Sequence, residues 1–284
     1  MTLDLGRPDD AVGRLISLAL DEDVGPGDRT AEAVVPAGAR GSGLIFAKET
    51  LVVSGVSAAA RVFRALDPQC QVEALKAEGD PADPGEGVLR VRGTLRAVLT
   101  GERTALNLLQ RLCGIATLTK KYAGALQGTK TRLLDTRKTT PGMRSLEKAA
   151  VRAGGGLNHR GALFDGILVK DNHAAAAGGI GEAVRRARSG AHPLLMVEAE
   201  VSTPEQIEQA LAAGAQMLLL DNLGDDDLRK AVQQVRGRVP TEASGGMTLD
   251  RLPRVAATGV DYVSVGALTH SAPSVDLSLL VEGA

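Results

Sequence analysis

The stretch that decides the fold is "LLMVEAEVSTPEQIEQALAAGAQMLLLDN", residues 194–222. It holds two short apolar runs separated by a helix-like segment, in which Thr203 is placed as N-cap, Pro204 as the first helical residue and Gly214 as a stop. The apolar runs are continuous rather than alternating, which is typical of strands buried on both faces of a parallel sheet. The stretch therefore predicts a strand–helix–strand unit.

The same pattern continues on both sides of this unit. Four apolar runs end near residues 200, 222, 245 and 268, a spacing of roughly 22 residues that matches successive βα units. Helices are predicted at 224–236 and at 248–259, where Pro253 must lie in or near the first turn. From about residue 132 onward we therefore predict an α/β barrel or a doubly wound sheet. The six predicted strands lie in the runs 132–136, 166–172, 194–200, 216–222, 239–245 and 261–268.

The first 110 residues predict a different kind of domain. Helical and strand-like patterns alternate there, and the combination indicates an α+β domain that leads into a long helix. The predicted elements are helices at 9–23, 56–67 and 97–126, a strand or hairpin at 42–55, and strands at 70–79 and 87–95.

Composition excludes several classes of protein. Hydrophobic residues make up 44% and charged residues 24% of the chain, as in ordinary soluble globular proteins. The N-terminus carries Asp4, Asp9 and Asp10 without the basic and apolar stretches of a signal peptide, and the apolar runs are far too short to span a bilayer. Cys70 and Cys113 match no metal-binding spacing and are interpreted as buried thiols in a reducing compartment. We therefore expect a cytoplasmic protein with no membrane partner.

Charge is sorted along this nearly neutral chain, which carries 33 Lys and Arg against 34 Asp and Glu. Residues 130–170 contain nine bases and three acids, whereas residues 198–227 contain eight acids and no base. A charge at the end of a buried strand is costly unless it has a partner or a function, and barrels place their sites at the carboxyl ends of strands. The charges within or just after apolar runs are Lys170, Asp171, Glu198, Glu200 and Asp221.

These charges predict a site with two chemically different sides. A cationic side suits a ligand with several carboxylates or phosphates, because guanidinium groups bind carboxylates bidentately. An anionic side formed by Glu200 and Asp221 suits a hydrated Mg²⁺. Glu198 leaves its strand on the same face as Glu200, and whether it serves the site or the structure stays open. The cationic side comprises Arg137, Lys138, His159, Arg160 and Lys170.

Two glycine-rich segments follow late strands of the predicted barrel. "EASGGM" (242–247) and "SVGALTHS" (264–271) offer backbone N–H groups where phosphate sites of barrels commonly lie. The known nucleotide and zinc-protease motifs G-x-x-x-x-G-K-[ST], G-x-G-x-x-G and H-E-x-x-H are missing from the sequence. Nucleic-acid binding would require a net-basic domain with stacking aromatic residues, but the chain is almost neutral and its basic segment contains one Phe. No nucleic-acid partner is expected.

Six motifs, read in order, resemble one known family, quinolinate phosphoribosyltransferase. The similarity runs from "EDVGPGDRT" (22–30) to "GALTHS" (266–271), nearly the whole chain. The combination of the first two motifs is the most specific part. The motifs are "DTRKTTPGMR" (135–144), "GGGLNHRGALFDGILVKDNH" (154–173), "VEAE" (197–200), "LLLDN" (218–222), "EASGG" (242–246) and "VSVGALTHS" (263–271).

The resemblance implies a fold and a reaction. The implied fold is an N-terminal α/β sandwich domain (1–112), an incomplete (open) α/β barrel of parallel strands (113–271), and a C-terminal tail (272–284) that returns to the first domain. The implied reaction joins quinolinate to phosphoribosyl pyrophosphate and releases pyrophosphate and CO₂, giving nicotinate mononucleotide. Mg²⁺ is the implied cofactor. A homodimer is also implied, in which Arg103 from one subunit completes the site of the other.

The resemblance also implies roles for individual residues. The Mg²⁺-pyrophosphate and ribose would be met by Glu200 and Asp221, directly or through water. Lys138 and Lys170 would face the phosphates, and they join the two acids as the expected catalytic residues. The expected quinolinate-binding residues are Arg103, Arg137, His159, Arg160 and Lys170. The expected phosphoribosyl-binding residues are Lys138, Asn222, Ser244, Gly245, Gly246, Gly266 and His270.

Two related enzymes remain as alternatives. One is a paralogue of the same fold, such as the molybdenum-transport-associated protein that resembles this family, with a different acceptor. The other is a phosphoribosyltransferase that uses nicotinate, whose single carboxylate would leave part of the cationic side unpaired.

Pro141 and Gly142 are predicted to form a turn behind Arg137 and Lys138, and the role of Arg144 stays open.

Overall fold

The structure of the protein, a computed structural model, describes residues 10–282. Asp4 and Asp9, which contribute to the interpretation of the N-terminus, lie outside the described residues. Among the helices of residues 10–282, none has the length and apolar character needed to cross a membrane.

The helices and strands alternate along much of the described chain. The α-helices are α1 Ala11–Asp23, α2 Arg29–Val34, α3 Val56–Leu66, α4 Leu95–Ala125, α5 Arg144–Ala153, α6 Asp171–Ala177, α7 Ile180–Gly190, α8 Pro204–Ala212, α9 Asp225–Val235, α10 Leu252–Ala256 and α11 Ala267–His270, and a 3-10 helix covers Leu249–Arg251. The strands are β1 Arg40–Ala47, β2 Leu51–Val52, β3 Gln71–Ala74, β4 Pro81–Ala82, β5 Gly87–Thr94, β6 Arg132–Leu134, β7 Ile167–Val169, β8 Val197–Val201, β9 Met217–Asp221, β10 Thr241–Ser244, β11 Tyr262–Ser264 and β12 Leu277–Glu282.

The described residues group into two compact units, and both are discontinuous along the chain. They differ in this respect from the continuous segments 1–112, 113–271 and 272–284 that the sequence predicts, and those segments stay a prediction. The first unit comprises residues 10–120, 139–155 and 268–282, and the second comprises residues 121–138 and 156–267.

The first unit contains a four-stranded antiparallel sheet in the order β12-β1-β5-β3. Helix α3 contributes fully buried Val62 and Phe63 to a core shared with Ile45 of β1 and Leu109 of α4. The predicted α/β character of this region is confirmed. The alternative of a hairpin at 42–55 is wrong: both edges of β1 are occupied by β5 and β12, so β2 pairs with β4 instead.

The second unit contains a six-stranded parallel sheet in the order β6-β11-β10-β9-β8-β7. Five of the six strands lie within the predicted runs, and β8 extends one residue past its run, to Val201. The first strand, β6, pairs with the last, β11, as in a barrel, whereas β6 and β7 occupy the two edges of the sheet. The ring is therefore open between β6 and β7, which confirms the incomplete barrel and excludes the doubly wound alternative.

Local sequence signals account for the strand–helix–strand segment at 194–222. The Thr203 side chain accepts a hydrogen bond from the Gln206 N–H and begins α8 with Pro204 in its first turn, as predicted. Gly214 follows the helix with φ +91°, a conformation that favours glycine. In β9, Leu218 and Leu220 are almost completely buried, as the continuous apolar pattern predicts.

Gly114 of α4 provides a test of packing in the first unit. A Cβ atom at this position would overlap the carbonyl oxygen of Pro273, so Gly114→Ala should destabilise the protein by about 1–3 kcal/mol. Gly124 lies on the same helix with open space around it, and Gly124→Ala should stabilise by about 0.5–1 kcal/mol. Urea unfolding of both variants measures the difference, and equal midpoints would contradict the close approach.

Candidate active site

The candidate site lies at the carboxyl edge of the six-stranded sheet. Parallel strands all end at one edge, so residues from distant parts of the chain meet there. Asp221 at the end of β9 pairs with Ser244 at the end of β10, and Glu200 of β8 pairs with Leu219. Lys170 directly follows β7. The register thus brings the predicted acids, one predicted cation and one predicted phosphate-binding segment to the same edge.

Two arginines form the centre of the cationic side. Arg137 follows β6. Arg160 lies between α5 and β7, in a loop that is held at the sheet edge by a β-bridge between Leu157 and Leu134 of β6. The Nε atoms of both guanidinium groups are buried and have no hydrogen-bond partner among residues 10–282. Burial, and next the nearby positive charge of Arg137, lower the pKa of Arg160. An anion bound between the two guanidinium groups would satisfy both atoms and relieve the repulsion.

Asp135 fixes the loop that carries the second arginine. Its fully buried carboxylate accepts hydrogen bonds from Asn158 Nδ2 at 2.6 Å and from the His159 main-chain N–H at 2.8 Å. The Arg160 guanidinium is held in turn by the Gly166 carbonyl at 2.8 Å. The sequence analysis assigned no role to Asp135, although a carboxylate at the end of a buried strand is a signal for one.

The side chain of His159, a residue of the same loop, lies between two buried acids. Its Nε2 atom is 2.9 Å from Glu198 Oε2 and 3.5 Å from Glu242 Oε2, and its Nδ1 atom accepts the Arg160 main-chain N–H at 2.8 Å. Both ring nitrogens are therefore engaged within the protein. Glu198 serves this cluster, which answers the question left open by the sequence. Glu242 was missed; its only signal was a carboxylate inside an apolar strand run.

The anionic side surrounds a cavity of about 150 Å³. Three of its lining residues are acids, namely Asp171, Glu200 and Asp221. Burial and the neighbouring acids raise the pKa of Glu200, against the opposing effect of Lys170, whose Nζ lies 3.9 Å from Glu200 Oε2. The negative charge of these three carboxylates exceeds the positive charge of the nearby Lys170. The cavity is therefore suited to a hydrated divalent cation.

The remaining lysine of the predicted set, Lys138, is exposed. Its main-chain N–H donates to Thr136 Oγ1 at 3.0 Å, and the turn behind it forms as predicted, with the Met143 N–H donating to the Thr140 carbonyl and Gly142 at φ +80°. Arg144 is the first residue of α5, and its Nε donates to Thr139 Oγ1 at 2.9 Å.

The loop after β9, which carries Asn222, is joined to the predicted phosphate-binding segment after β10. The Asn222 N–H donates to the Ser244 carbonyl at 3.0 Å, and Asn222 and Gly245 have φ +56° and +89°. A Cβ atom at Gly245 would overlap the Asn222 side chain, so glycine is required for this approach. Gly246 has φ +58°, and Gly266 follows β11 at the same edge of the sheet.

Arg251, which the sequence analysis missed, connects these segments. Its guanidinium donates to the Leu223 carbonyl at 2.6 Å, to the Gly245 carbonyl at 3.1 Å and to Asp225 Oδ1 at 2.9 Å. The side chain is 17% exposed. One residue thereby fixes the loop after β9 relative to the loop after β10.

Two predicted site residues belong to the first unit. Arg103 is exposed on α4, and His270 is the last residue of α11, where its Nδ1 lies 2.6 Å from Ser271 Oγ. Their predicted functions stay predictions.

The two cysteines are buried free thiols, as the sequence predicted, and burial raises the pKa of Cys113 to about 12.

Comparison with known proteins is consistent with this fold and site. Residues 28–113 and 115–280 match the N-terminal and C-terminal domains of the family described as quinolinate phosphoribosyl transferase. The chain is 43% identical over 258 residues to a probable nicotinate-nucleotide pyrophosphorylase [carboxylating] of Bacillus subtilis, covering 91% of this chain and 89% of that protein. It is also 43% identical over 279 residues to the nicotinate-nucleotide pyrophosphorylase [carboxylating] of Mycobacterium leprae, covering 95% and 97%.

A solved structure extends the similarity to three dimensions. The nicotinate-nucleotide pyrophosphorylase from Francisella tularensis superposes with a TM-score of 0.92 at 38% identity, covering 99% of this chain and 100% of that one. An open parallel barrel with oppositely charged groups along its carboxyl edge defines the class, an α/β-barrel phosphoribosyltransferase. Within this class, the chain belongs to the quinolinate phosphoribosyltransferase family. The family predicted from the sequence motifs is confirmed.

The contacts of Arg251 predict a local change in stability. Arg251→Ala should accelerate amide hydrogen exchange in residues 222–225 and 244–246 by about tenfold, because the loops lose their shared donor. Arg254→Ala is the matched control, since Arg254 bonds Asp225 from a 64% exposed position and contacts neither the Leu223 nor the Gly245 carbonyl. Equal exchange in the two variants would contradict the role assigned to Arg251.

Proposed function

We propose that the protein transfers the phosphoribosyl group of phosphoribosyl pyrophosphate to quinolinate, with loss of pyrophosphate and CO₂, and so forms nicotinate mononucleotide for NAD biosynthesis. The observation that carries the proposal is the Arg137–Arg160 pair, whose buried Nε atoms lack partners within the described residues. A ligand with two adjacent carboxylates supplies one acceptor for each guanidinium. The relatives named above carry the same activity in their names.

In the proposed acceptor site, the arginines bind quinolinate and His159 supports them. Sequence analysis expected His159 to contact quinolinate, but both of its ring nitrogens are engaged by protein atoms. Lys170 is half exposed beside Glu200 and is suited to approach either substrate. A paralogue with a different acceptor, or an enzyme for nicotinate, would not need two adjacent guanidinium groups whose Nε atoms lack hydrogen-bond partners within residues 10–282.

In the proposed donor site, Glu200 and Asp221 would hold a hydrated Mg²⁺, with Asp171 lining the same cavity. The acidic cavity and the raised pKa of Glu200 fit a divalent cation. When bound, Mg²⁺ would neutralise charge on the pyrophosphate leaving group. The glycine-rich segments at 245–246 and 266 offer backbone N–H groups to the 5′-phosphate, together with Asn222 and Ser244.

The proposed chemistry needs no protein nucleophile. The C1–oxygen bond of the ribose breaks as pyrophosphate leaves with the electron pair, and the pyridine nitrogen of quinolinate then forms the new bond to C1. The carboxylates of Glu200 and Asp221 stabilise the positive charge that develops on the sugar. The bond between the ring and its C2 carboxylate then breaks, its electron pair is stabilised by the cationic ring nitrogen, and C2 takes up a proton.

We further propose a homodimer in which Arg103 completes the site of the partner subunit. Arg103 is exposed on α4 and is therefore available for such a contact. A location in the cytoplasm likewise stays a prediction.

The acceptor site is tested by Arg137→Ala. Loss of one carboxylate partner should raise the quinolinate KM about a hundredfold, because a charge-assisted bidentate contact contributes about 3 kcal/mol. Steady-state rates with phosphoribosyl pyrophosphate and Mg²⁺ measure this change. Arg186→Ala is the matched control, because Arg186 is exposed on α7, where its side chain pairs with Glu182. An unchanged quinolinate KM in Arg137→Ala, or equal turnover of nicotinate by the wild type, would contradict the proposal.

The dimer is tested by mixing two inactive variants. At a quinolinate concentration well below the KM of the variants, Arg103→Ala and Arg137→Ala should each be nearly inactive, because both mutations damage every site of their own homodimer. After mixing and subunit exchange, half of the dimers combine one chain of each kind, and one of their two sites contains neither mutation. Activity should then recover to roughly a quarter of the wild-type value. If Arg103 serves the site of its own chain, no recovery occurs.

A further inference from the structure

Glu242 of β10 is buried at the centre of the candidate site. It has no exposed surface, and among residues 10–282 neither carboxylate oxygen has a hydrogen-bond partner of normal geometry, although the Ser264 hydroxyl lies nearby. We propose that Glu242 is a positioning residue, which together with Glu198 holds the His159 ring and does so as an uncharged carboxyl group. The inference rests on the proposed function only in assigning quinolinate to the arginines above this ring.

The hydrogen bonds of His159 determine where its proton lies. Nδ1 accepts the Arg160 main-chain N–H at 2.8 Å, so this nitrogen carries no hydrogen. The neutral ring therefore carries its single proton on Nε2, directed at Glu198 Oε2 at 2.9 Å, with Glu242 Oε2 at 3.5 Å. One N–H group thus faces two buried acids.

This proton argues against the alternative of a metal site. His159, Glu198 and Glu242 each offer one possible ligand atom, and these atoms lie within 4.8 Å of one another. A metal bound to Nε2 of His159 would replace the hydrogen there, and the proton of the neutral ring would have to move to Nδ1. Nδ1 cannot carry a hydrogen while it accepts the Arg160 main-chain N–H. Metal binding would therefore require the Arg160 contact to be broken, whereas an uncharged Glu242 requires no rearrangement.

The charge balance indicates which acid is uncharged. Two charged carboxylates buried side by side would be costly. Glu198 has the Nε2–H donor and the electrostatic support of the Arg160 guanidinium, which leaves Glu242 as the uncharged acid. Burial and the charge of Glu198 raise the pKa of Glu242 to about 8, against the lowering effects of His159 and Ser264; Asp135 adds a further raising effect. Below this pH Glu242 is neutral.

The position of the ring determines the position of Arg160. Because the Arg160 N–H is bonded to Nδ1, a displaced ring displaces the main chain that carries the guanidinium. Ionisation of Glu242 above pH 8 would also add a negative charge close to the proposed dicarboxylate site. Both effects weaken binding of quinolinate, while the acidic cavity for the phosphoribosyl donor is formed by other residues.

The experiment compares quinolinate KM values across pH for the wild type, Glu242→Gln and Glu208→Gln. The wild-type KM should be constant at pH 6–7 and rise about fivefold by pH 9, as Glu242 ionises. Glu242→Gln should remove this rise because its side chain stays neutral. Glu208 is an exposed acid that pairs with Arg238, so Glu208→Gln should follow the wild type. A rise that persists in Glu242→Gln overturns the proposal.

Two further readouts separate positioning from other roles. Glu242→Leu should raise the quinolinate KM about tenfold at pH 7 and leave the KM for phosphoribosyl pyrophosphate within about twofold. The ¹⁵N shifts of the His159 ring should report hydrogen on Nε2 in the wild type and change in Glu242→Leu. Stoichiometric transition metal in the purified wild type, or unchanged ring shifts in Glu242→Leu, overturns the proposal. If the wild type does not convert quinolinate, the proposed function fails, and the ring shifts alone decide whether Glu242 positions His159.

Discussion

The parallel register of the six-stranded sheet is the constraint on which the site depends. It directs the carboxyl ends of all six strands to one edge, so charges that lie far apart in the sequence become neighbours. The opening between β6 and β7 leaves the arginine-bearing loops on one side and the acids of β8 and β9 on the other. The chain as a whole is nearly neutral, and the fold, rather than composition, produces the opposed charges.

The site retains buried polar atoms that a purely structural core would satisfy. In the part of the chain that the structure describes, the Nε atoms of Arg137 and Arg160 lack hydrogen-bond partners, as do carboxylate oxygens of Glu198 and Glu242. Buried polar groups of this kind reduce stability, and they are expected where a ligand supplies the missing contact or where a proton occupies one oxygen. Asp135 and Arg251 offset part of this cost by holding the surrounding loops with short hydrogen bonds.

The sequence predicted what depends on local pattern. The six strands and the start of α8 at Thr203 and Pro204 follow from apolar runs and capping chemistry over a few residues. The sequence could not predict contacts between distant segments. Glu242 acquires its function only beside His159 and Glu198, and Arg251 only where the loops after β9 and β10 meet. Of the two alternatives for 42–55, a strand or a hairpin, the hairpin failed for the same reason, because pairing of β1 with β12 depends on residues more than 200 positions away.

The most direct test of the central claim is a crystal structure of the protein with quinolinate. The arrangement of the carboxyl edge predicts one quinolinate at the Arg137–Arg160 pair, with its two carboxylates accepting hydrogen bonds from the two guanidinium groups and with both nitrogens of the His159 ring still bonded within the protein. Quinolinate bound elsewhere, with both guanidinium groups left without an anion, would contradict the account.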